Sequence, residues 1–231
     1  MKQILLAILF IMSISMADQR HFVWKYEYKI VEKGEVEFEH YYTTSYPNSN
    51  DLSLGTIIQH QFELEIGMNE KFDFAVYHQF EQQVYMKYAG YKLRGRYRIG
   101  KQNQYLLDPL LYLEYHGKHD FAEHGIETKL ILAKETEKII VSFNPVLEIE
   151  ITEDEEEFEA EYAAGITYKI NKLLNIGIEF KGSEYGHYFG PTISHGTHDT
   201  WFSLGSAFAM STINEEKPEM EIRMIMGVGI K

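Results

Sequence analysis

Residues 91–99 read YKLRGRYRI, with Lys92, Arg94, Arg96 and Arg98 alternating with Tyr91, Leu93, Gly95, Tyr97 and Ile99. Successive side chains of a strand point to opposite faces, so one face of this stretch is cationic and the other mostly apolar or aromatic. A helix would scatter the four charges around its circumference. A water-facing sheet would lay the apolar face on a closed core, whereas a transmembrane barrel puts that face on lipid and the polar one in its lumen. The stretch therefore predicts a membrane-spanning strand.

The rest of the chain repeats the pattern with the opposite charge. Val36, Phe38, His40 and Tyr42 alternate with Glu35, Glu37 and Glu39; Ile58, His60, Phe62, Leu64 and Ile66 oppose Gln59, Gln61, Glu63 and Glu65. Phe158, Ala160, Tyr162, Ala164 and Ile166 face away from Glu157, Glu159 and Glu161, and the last run sets Met220, Ile222, Met224, Met226 and Val228 against Glu221 and Arg223. Runs of this kind span 35–44, 58–66, 72–80, 85–99, 107–116, 122–134, 138–152, 157–170, 174–184, 187–195, 200–210 and 219–230, separated by Gly-, Asn- and Pro-containing turns. That gives about twelve strands, an even number that suits a single-chain bacterial barrel. Residues 22–30, FVWKYEYKI, also alternate. This extra run pairs beside the first strand or lies in the lumen, and the sequence does not choose between the two.

The chain begins with a basic residue, Lys2, an apolar run from Ile4 to Ile14, and small residues at Ser15 and Ala17. That order predicts a secretory signal peptide over 1–17 and a barrel domain over 18–231. No later stretch is continuously apolar for the ~20 residues a spanning helix needs, which excludes a helical membrane protein but not a barrel. Mean hydropathy is −0.31, as expected when lipid-facing residues alternate with charged ones. There is no cysteine, so disulfides and thiolate metal or redox sites are excluded. A formal charge of −13 argues against nucleic acid as a partner. The expected setting is the outer membrane of a Gram-negative cell, with membrane lipid and small polar solutes as partners and no cofactor.

The chain resembles a family of uncharacterised bacterial outer-membrane β-barrel proteins of porin-like type. The resemblance is carried by EKGEVEFEHYYT (32–43), ELEIGMNEKFDFAVY (63–77), DPLLYLEYH (108–116), IETKLILAK (126–134), YFGPTISHG (188–196) and WFSLG (201–205). It implies an all-β outer-membrane barrel and supplies no catalytic residue or substrate. One departure is the end of the chain, Gly229, Ile230 and Lys231, where such barrels usually close on an aromatic residue.

An even strand count places both chain ends in the periplasm, with the turns near 67–71, 100–105, 135–137, 171–173 and 196–199. The external connections are short, so no large external loop is expected to plug the pore. The candidate lumen and selectivity residues are Lys92, Arg94, Arg96, Arg98, Glu63, Glu65, Glu114, Glu157, Glu159 and Glu161. Two readings compete. An acidic lumen with one cationic strand favours some solutes over others; alternatively the same charges pair across adjacent strands, Asp73 and Glu81 before the basic strand and Glu114 after it, and clamp a non-conducting wall. With about twelve strands a narrow or occluded interior is expected.

Two histidine groups have spacings that could hold zinc, His116 with His119 and His124, and His195 with His198. The expected topology sets them at opposite rims, and no metal is assigned. Ser194 beside His195 is the nearest approach to a hydrolytic pair, but adjacent strand residues face opposite sides, so no catalytic residue is assigned. EDEEE, 153–157, is read as a solvated external turn.

Overall fold

The computed structural model describes residues 19–52, 56–197, 199–210, 213–214 and 217–230. The expected signal peptide, His198 and Lys231 lie outside them. Twelve strands follow one another along the chain: β1 (Val36–Tyr46), β2 (Ile57–Asn69), β3 (Phe72–Gln82), β4 (Met86–Arg98), β5 (Asp108–Lys118), β6 (His124–Glu135), β7 (Ile139–Ile151), β8 (Glu156–Lys169), β9 (Leu174–Ser183), β10 (Gly186–Gly196), β11 (Thr200–Ala209) and β12 (Met220–Ile230). Each pairs antiparallel with the next, and β1 pairs with β12 from Val36↔Ile230 to Tyr46↔Met220, which closes the barrel. Closure leaves no sheet edge unpaired, the condition for a strand protein in lipid. Strands of 10 to 14 residues are long enough to cross a bilayer at the usual tilt.

The alternation read from sequence sorts the two faces. Phe38, Leu64, Leu93, Leu113, Leu130, Leu147, Ile178, Ile193, Leu204 and Val228 point outward and are exposed. A continuous apolar exterior of this extent is far beyond the patches that soluble monomers tolerate, and it matches a lipid face. Towards the end opposite Val36 and Ile230 the same face carries tyrosine–histidine pairs. The His78 ring nitrogen Nδ1 lies 3.1 Å from the Tyr88 hydroxyl, His124 Nδ1 2.6 Å from that of Tyr115, and His187 Nδ1 3.3 Å from that of Tyr162. Rings that are apolar in body and polar at the tip suit the interfacial girdle of a barrel. A register shift between Gln79 and Phe80 leaves Ala89 unpaired and brings Tyr88 opposite Phe80, on the outer face.

Inside, the barrel is filled at the end where β1 begins and β12 ends. The run 22–30 is not a strand: residues 19–31 form no ladder and fold as a bent hairpin within the lumen. His21 meets Glu27 at 2.9 Å, and Lys29 donates to the Gln19 carbonyl at 2.9 Å, so the two arms of the hairpin lie side by side. All of its residues are buried except Trp24 and Lys29, which are partly so. Both phases of the FVWKYEYKI alternation are therefore buried, one against the barrel wall and one against the hairpin's own partners. Gly34, at φ +83°, turns the chain out of the lumen into β1. The Gly34 and Gly67 backbones meet at 2.8 Å, and a side chain on Gly67 would collide with the Glu32 carbonyl.

Candidate functional site

The hairpin is fastened to the wall by polar groups that the strands point inward. Glu179 on β9 accepts the backbone N–H groups of Val23 at 2.8 Å and Trp24 at 3.0 Å. Asn144 on β7 accepts the Tyr26 N–H at 2.7 Å, and Ser142 donates to the Tyr26 carbonyl at 2.6 Å. Asp73 on β3 accepts the Val31 N–H at 3.1 Å, and the Tyr28 hydroxyl donates to the Ile99 carbonyl at 3.0 Å. A hairpin without ladder partners has to satisfy its backbone in this way when it is buried. Its apolar side chains complete two clusters. Val23 packs with Tyr41, Ala75, Tyr77, Trp201 and Ile225; Tyr26, Tyr28 and Ile30 pack with Leu110, Tyr112, Ile131 and Ala133.

The charges of the hairpin are set by burial and by each other. Burial alone would push the Glu27 carboxyl up, yet His21 and Lys29 beside it hold it well below the usual carboxylate range. Lys25 has an ammonium 3.6 Å from the centroid of the Phe22 ring, and burial lowers it to about 8 despite Glu179 and Glu27 nearby.

Beneath the hairpin lies the basic strand that the sequence singled out, divided by depth. Arg94 is 1% exposed and pairs with Glu63 and Glu65 at 2.8 Å each; it also donates to the Tyr77 hydroxyl at 2.6 Å. Arg96 pairs with Asp73 at 2.5 Å and with Glu65. Tyr41 donates to Glu63 at 2.7 Å, and Arg20 of the hairpin meets both Tyr41 and Glu39. One network thus runs from Arg20 through Tyr41, Glu63, Arg94, Glu65 and Arg96 to Asp73, and Asp73 holds Val31 at the other end of the hairpin. Arg98 lies with its guanidinium 5.2 Å from the Tyr28 ring centroid.

Sequence reasoning placed Asp73, Glu81 and Glu114 beside the basic strand, and in register they stand opposite Arg96, Lys87 and Arg94 respectively. Glu63 and Glu65 lie two strands from Arg94 and still reach it. Ala75, 0% exposed, stands in register between Glu65 and Arg94, and its methyl group leaves room for the guanidinium to cross β3. The plug itself is supplied by the chain preceding the first strand: of the two places the sequence left open for residues 22–30, the lumen is the one they occupy.

Lys92 marks where the buried network ends, and it pairs with Glu114 at 2.7 Å. From there to the end away from Val36 and Ile230 the lumen is an open vestibule of about 570 Å³. Its floor is Arg20, Val23, Trp24, Tyr26, Tyr41 and Arg223; its wall includes Glu114, Glu127, Glu148, Glu150 and Glu161. A side cavity of about 250 Å³ shares Trp24, Lys129, Glu161 and Lys181 with it. Register stacks the acids: Glu114↔Glu127, Glu127↔Glu148, Glu148↔Glu159 and Glu150↔Glu157 stand directly opposite one another. Like charges in that arrangement repel. Lys129 meets Glu127 at 2.9 Å, His116 meets Glu148 at 3.5 Å and Lys217 meets Glu159 at 4.0 Å, which leaves the β7–β8 wall with an excess of carboxylates.

His116, Glu148 and Glu150 are close enough to ligate one cation, as are Glu127, Glu148 and Glu161. Glu39, Glu63 and Glu65 also converge, but Arg20 and Arg94 already occupy that space. The sequence grouping of His116 with His124 does not survive folding, because His124 faces outward beside Tyr115. Ser194 is buried and accepts from Asn175 at 3.1 Å, while His195 faces out against Phe202, so the two lie on opposite sides of β10.

No protein-family model and no curated protein matches the chain. Among solved structures it is similar to the KdgM porin in complex with disordered oligogalacturonate, with a TM-score of 0.59 and 10% identity over 85% of this chain and 98% of that one. It is also similar to the NanC porin, with a TM-score of 0.56 and 10% identity over 85% of this chain and 99% of that one. At this identity the likeness is one of fold: the chain has the closed antiparallel barrel of these porins.

Proposed function

We propose that the chain is an outer-membrane, porin-like barrel for small polar solutes, closed over its periplasmic half by its own N-terminal hairpin and open to the outside through a charged vestibule. The observation that carries this reading is the division of the lumen. Residues 19–31 are bonded to strands on several sides of the terminal half, whereas about 570 Å³ of the other half is unfilled. An even strand count, with the start of β1 beside the end of β12, supports a periplasmic setting for the filled half. The apolar exterior and the porin fold support the membrane setting.

Within this reading the cationic strand has two roles. Arg94 and Arg96 clamp the wall and seat the hairpin, and Lys92 alone contributes to the vestibule. Glu148, Glu150 and Glu161 give the vestibule its charge, and Glu157 and Glu159 line an adjoining pocket of about 260 Å³ that shares Glu148 and Glu150 with it. The KdgM structure holds an oligogalacturonate, a polycarboxylate; an acidic wall raises the energy of such a solute, and we infer a different charge class here.

Solute uptake by proteoliposomes tests the reading. Swelling in an isotonic neutral sugar should be slow with the native chain and faster with Glu179→Gln combined with Asn144→Ala, which release the hairpin. If neither protein supports swelling after verified insertion, the barrel is a sealed structural element whose charges serve only to pair.

A further inference from the structure

Arg223 is set apart from the other cations of the vestibule. Lys92, Lys129, Lys181 and Arg20 each pair with a carboxylate, Glu114, Glu127, Glu221 and Glu39 respectively. Arg223 has no carboxylate within 4 Å among the described residues. Its Nε donates to the Thr43 hydroxyl at 2.9 Å, one terminal nitrogen reaches the Val23 carbonyl at 3.4 Å, and its guanidinium lies 4.3 Å from the Trp24 ring centroid. These neutral partners hold the group in place, and Glu221, two residues along the strand and already paired with Lys181, acts on it only through space. The same cavity is lined by Glu148, Glu150 and Glu161, and Glu148 and Glu150 also face Glu159 and Glu157 of an adjoining pocket across the β7–β8 ladder. A fixed guanidinium with no carboxylate in ion-pair contact and the carboxylates of Glu148, Glu150 and Glu161 therefore share one space of about 570 Å³, a size ordinary for small-molecule sites.

We propose that the vestibule binds small zwitterions, such as a short peptide or amino acid, with the carboxylate on Arg223 and the ammonium against Glu148 and Glu150. A guanidinium offers a planar fork to a carboxylate, and an ammonium placed between opposed glutamates removes their repulsion. A dianion meets the acidic wall, and a dication leaves Arg223 unanswered while adding repulsion to it. A zwitterion satisfies both ends. This inference rests on the vestibule reading above and names its solute class.

Calorimetric titration of the detergent-solubilised full barrel with glycylglycine, 1,4-diaminobutane and glutarate tests the inference. Glycylglycine should bind most tightly of the three, and Arg223→Gln should lower its affinity relative to 1,4-diaminobutane about tenfold, the loss of one charged contact. Arg223→Lys should restore part of that preference, which a merely structural role for the residue would not do. Glu148→Gln with Glu150→Gln should weaken glycylglycine and 1,4-diaminobutane together. Binding of either of the other probes as tightly as glycylglycine, or an unchanged ratio in Arg223→Gln, overturns the proposal, as does the absence of binding by all three. Swelling assays with neutral sugar read the permeation claim separately, so a failure of zwitterion binding with intact permeation removes only the solute class.

Discussion

Arg94 and Glu65 form a 2.8 Å ion pair across a strand that belongs to neither of them, with Ala75 standing between. A larger side chain at that position would block the crossing. Ala75→Leu is expected to destabilise the barrel by about 3–5 kcal/mol, the usual cost of breaking a buried charge pair by removing access to one partner. The urea midpoint of the gel-shift transition between folded and unfolded forms measures it, and an unchanged midpoint would mean that the pair is not formed through this gap.

Arg94→Gln should show a loss of the same order in that assay, because Glu63 and Glu65 would be left buried without their partner. Once insertion is matched, solute uptake by the variant should equal that of the native chain. Altered solute preference with unaltered stability would return Arg94 to the role of a selectivity element.

Glu179 holds two successive N–H groups at the tip of the hairpin. Glu179→Gln replaces an acceptor pair by one acceptor and one donor, and loosening by about 1–3 kcal/mol is expected. Arg20, Lys25 and Lys29 are tryptic sites inside the hairpin. Mass spectrometry should find cleavage there faster in the variant than in the native barrel, with the strands intact in both.

Lys25 gives the hairpin a pH dependence. Its ammonium has no hydrogen-bond partner among the described residues, and burial lowers its pKa from 10.5 to about 8. Between those two values the released hairpin binds more protons than the docked one, so docking strengthens as pH rises through that window. The full effect is roughly 3 kcal/mol, from the size of the shift. Channel openings should become rarer from pH 8 to 10.5 in the native protein and show no such trend in Lys25→Met.

The twelve strands were legible because period-two alternation survives in nearly every run, and YKLRGRYRI already showed which face was which. The two faces of FVWKYEYKI were not, since alternation reports that neighbouring side chains differ in environment and here both phases are buried. Nor could cross-strand reasoning find Glu63 and Glu65 as partners of Arg94: it considers adjacent strands, and the reach across β3 depends on the small size of Ala75. Arg223 carried no sequence signal beyond its inward phase. Its significance comes from the close ion pairs that the other vestibule cations form and that it lacks among the described residues.

The vestibule wall should set ion preference once the hairpin is released. In Glu179→Gln combined with Asn144→Ala, reversal potentials should show cation preference, and adding Glu148→Gln and Glu150→Gln should move the cation-to-anion ratio towards unity.

The central claim is that residues 19–31 close the lumen. The chain has no cysteine, and the Val23 side chain lies against the position that a Cβ on Gly205 would occupy, so Val23→Cys with Gly205→Cys can tether the hairpin to β11. Planar-bilayer recordings of this double variant should be silent when oxidised and show openings after reduction. Openings of equal size and frequency in the oxidised, fully cross-linked protein would contradict the account, because solutes would then pass a lumen that the hairpin does not close.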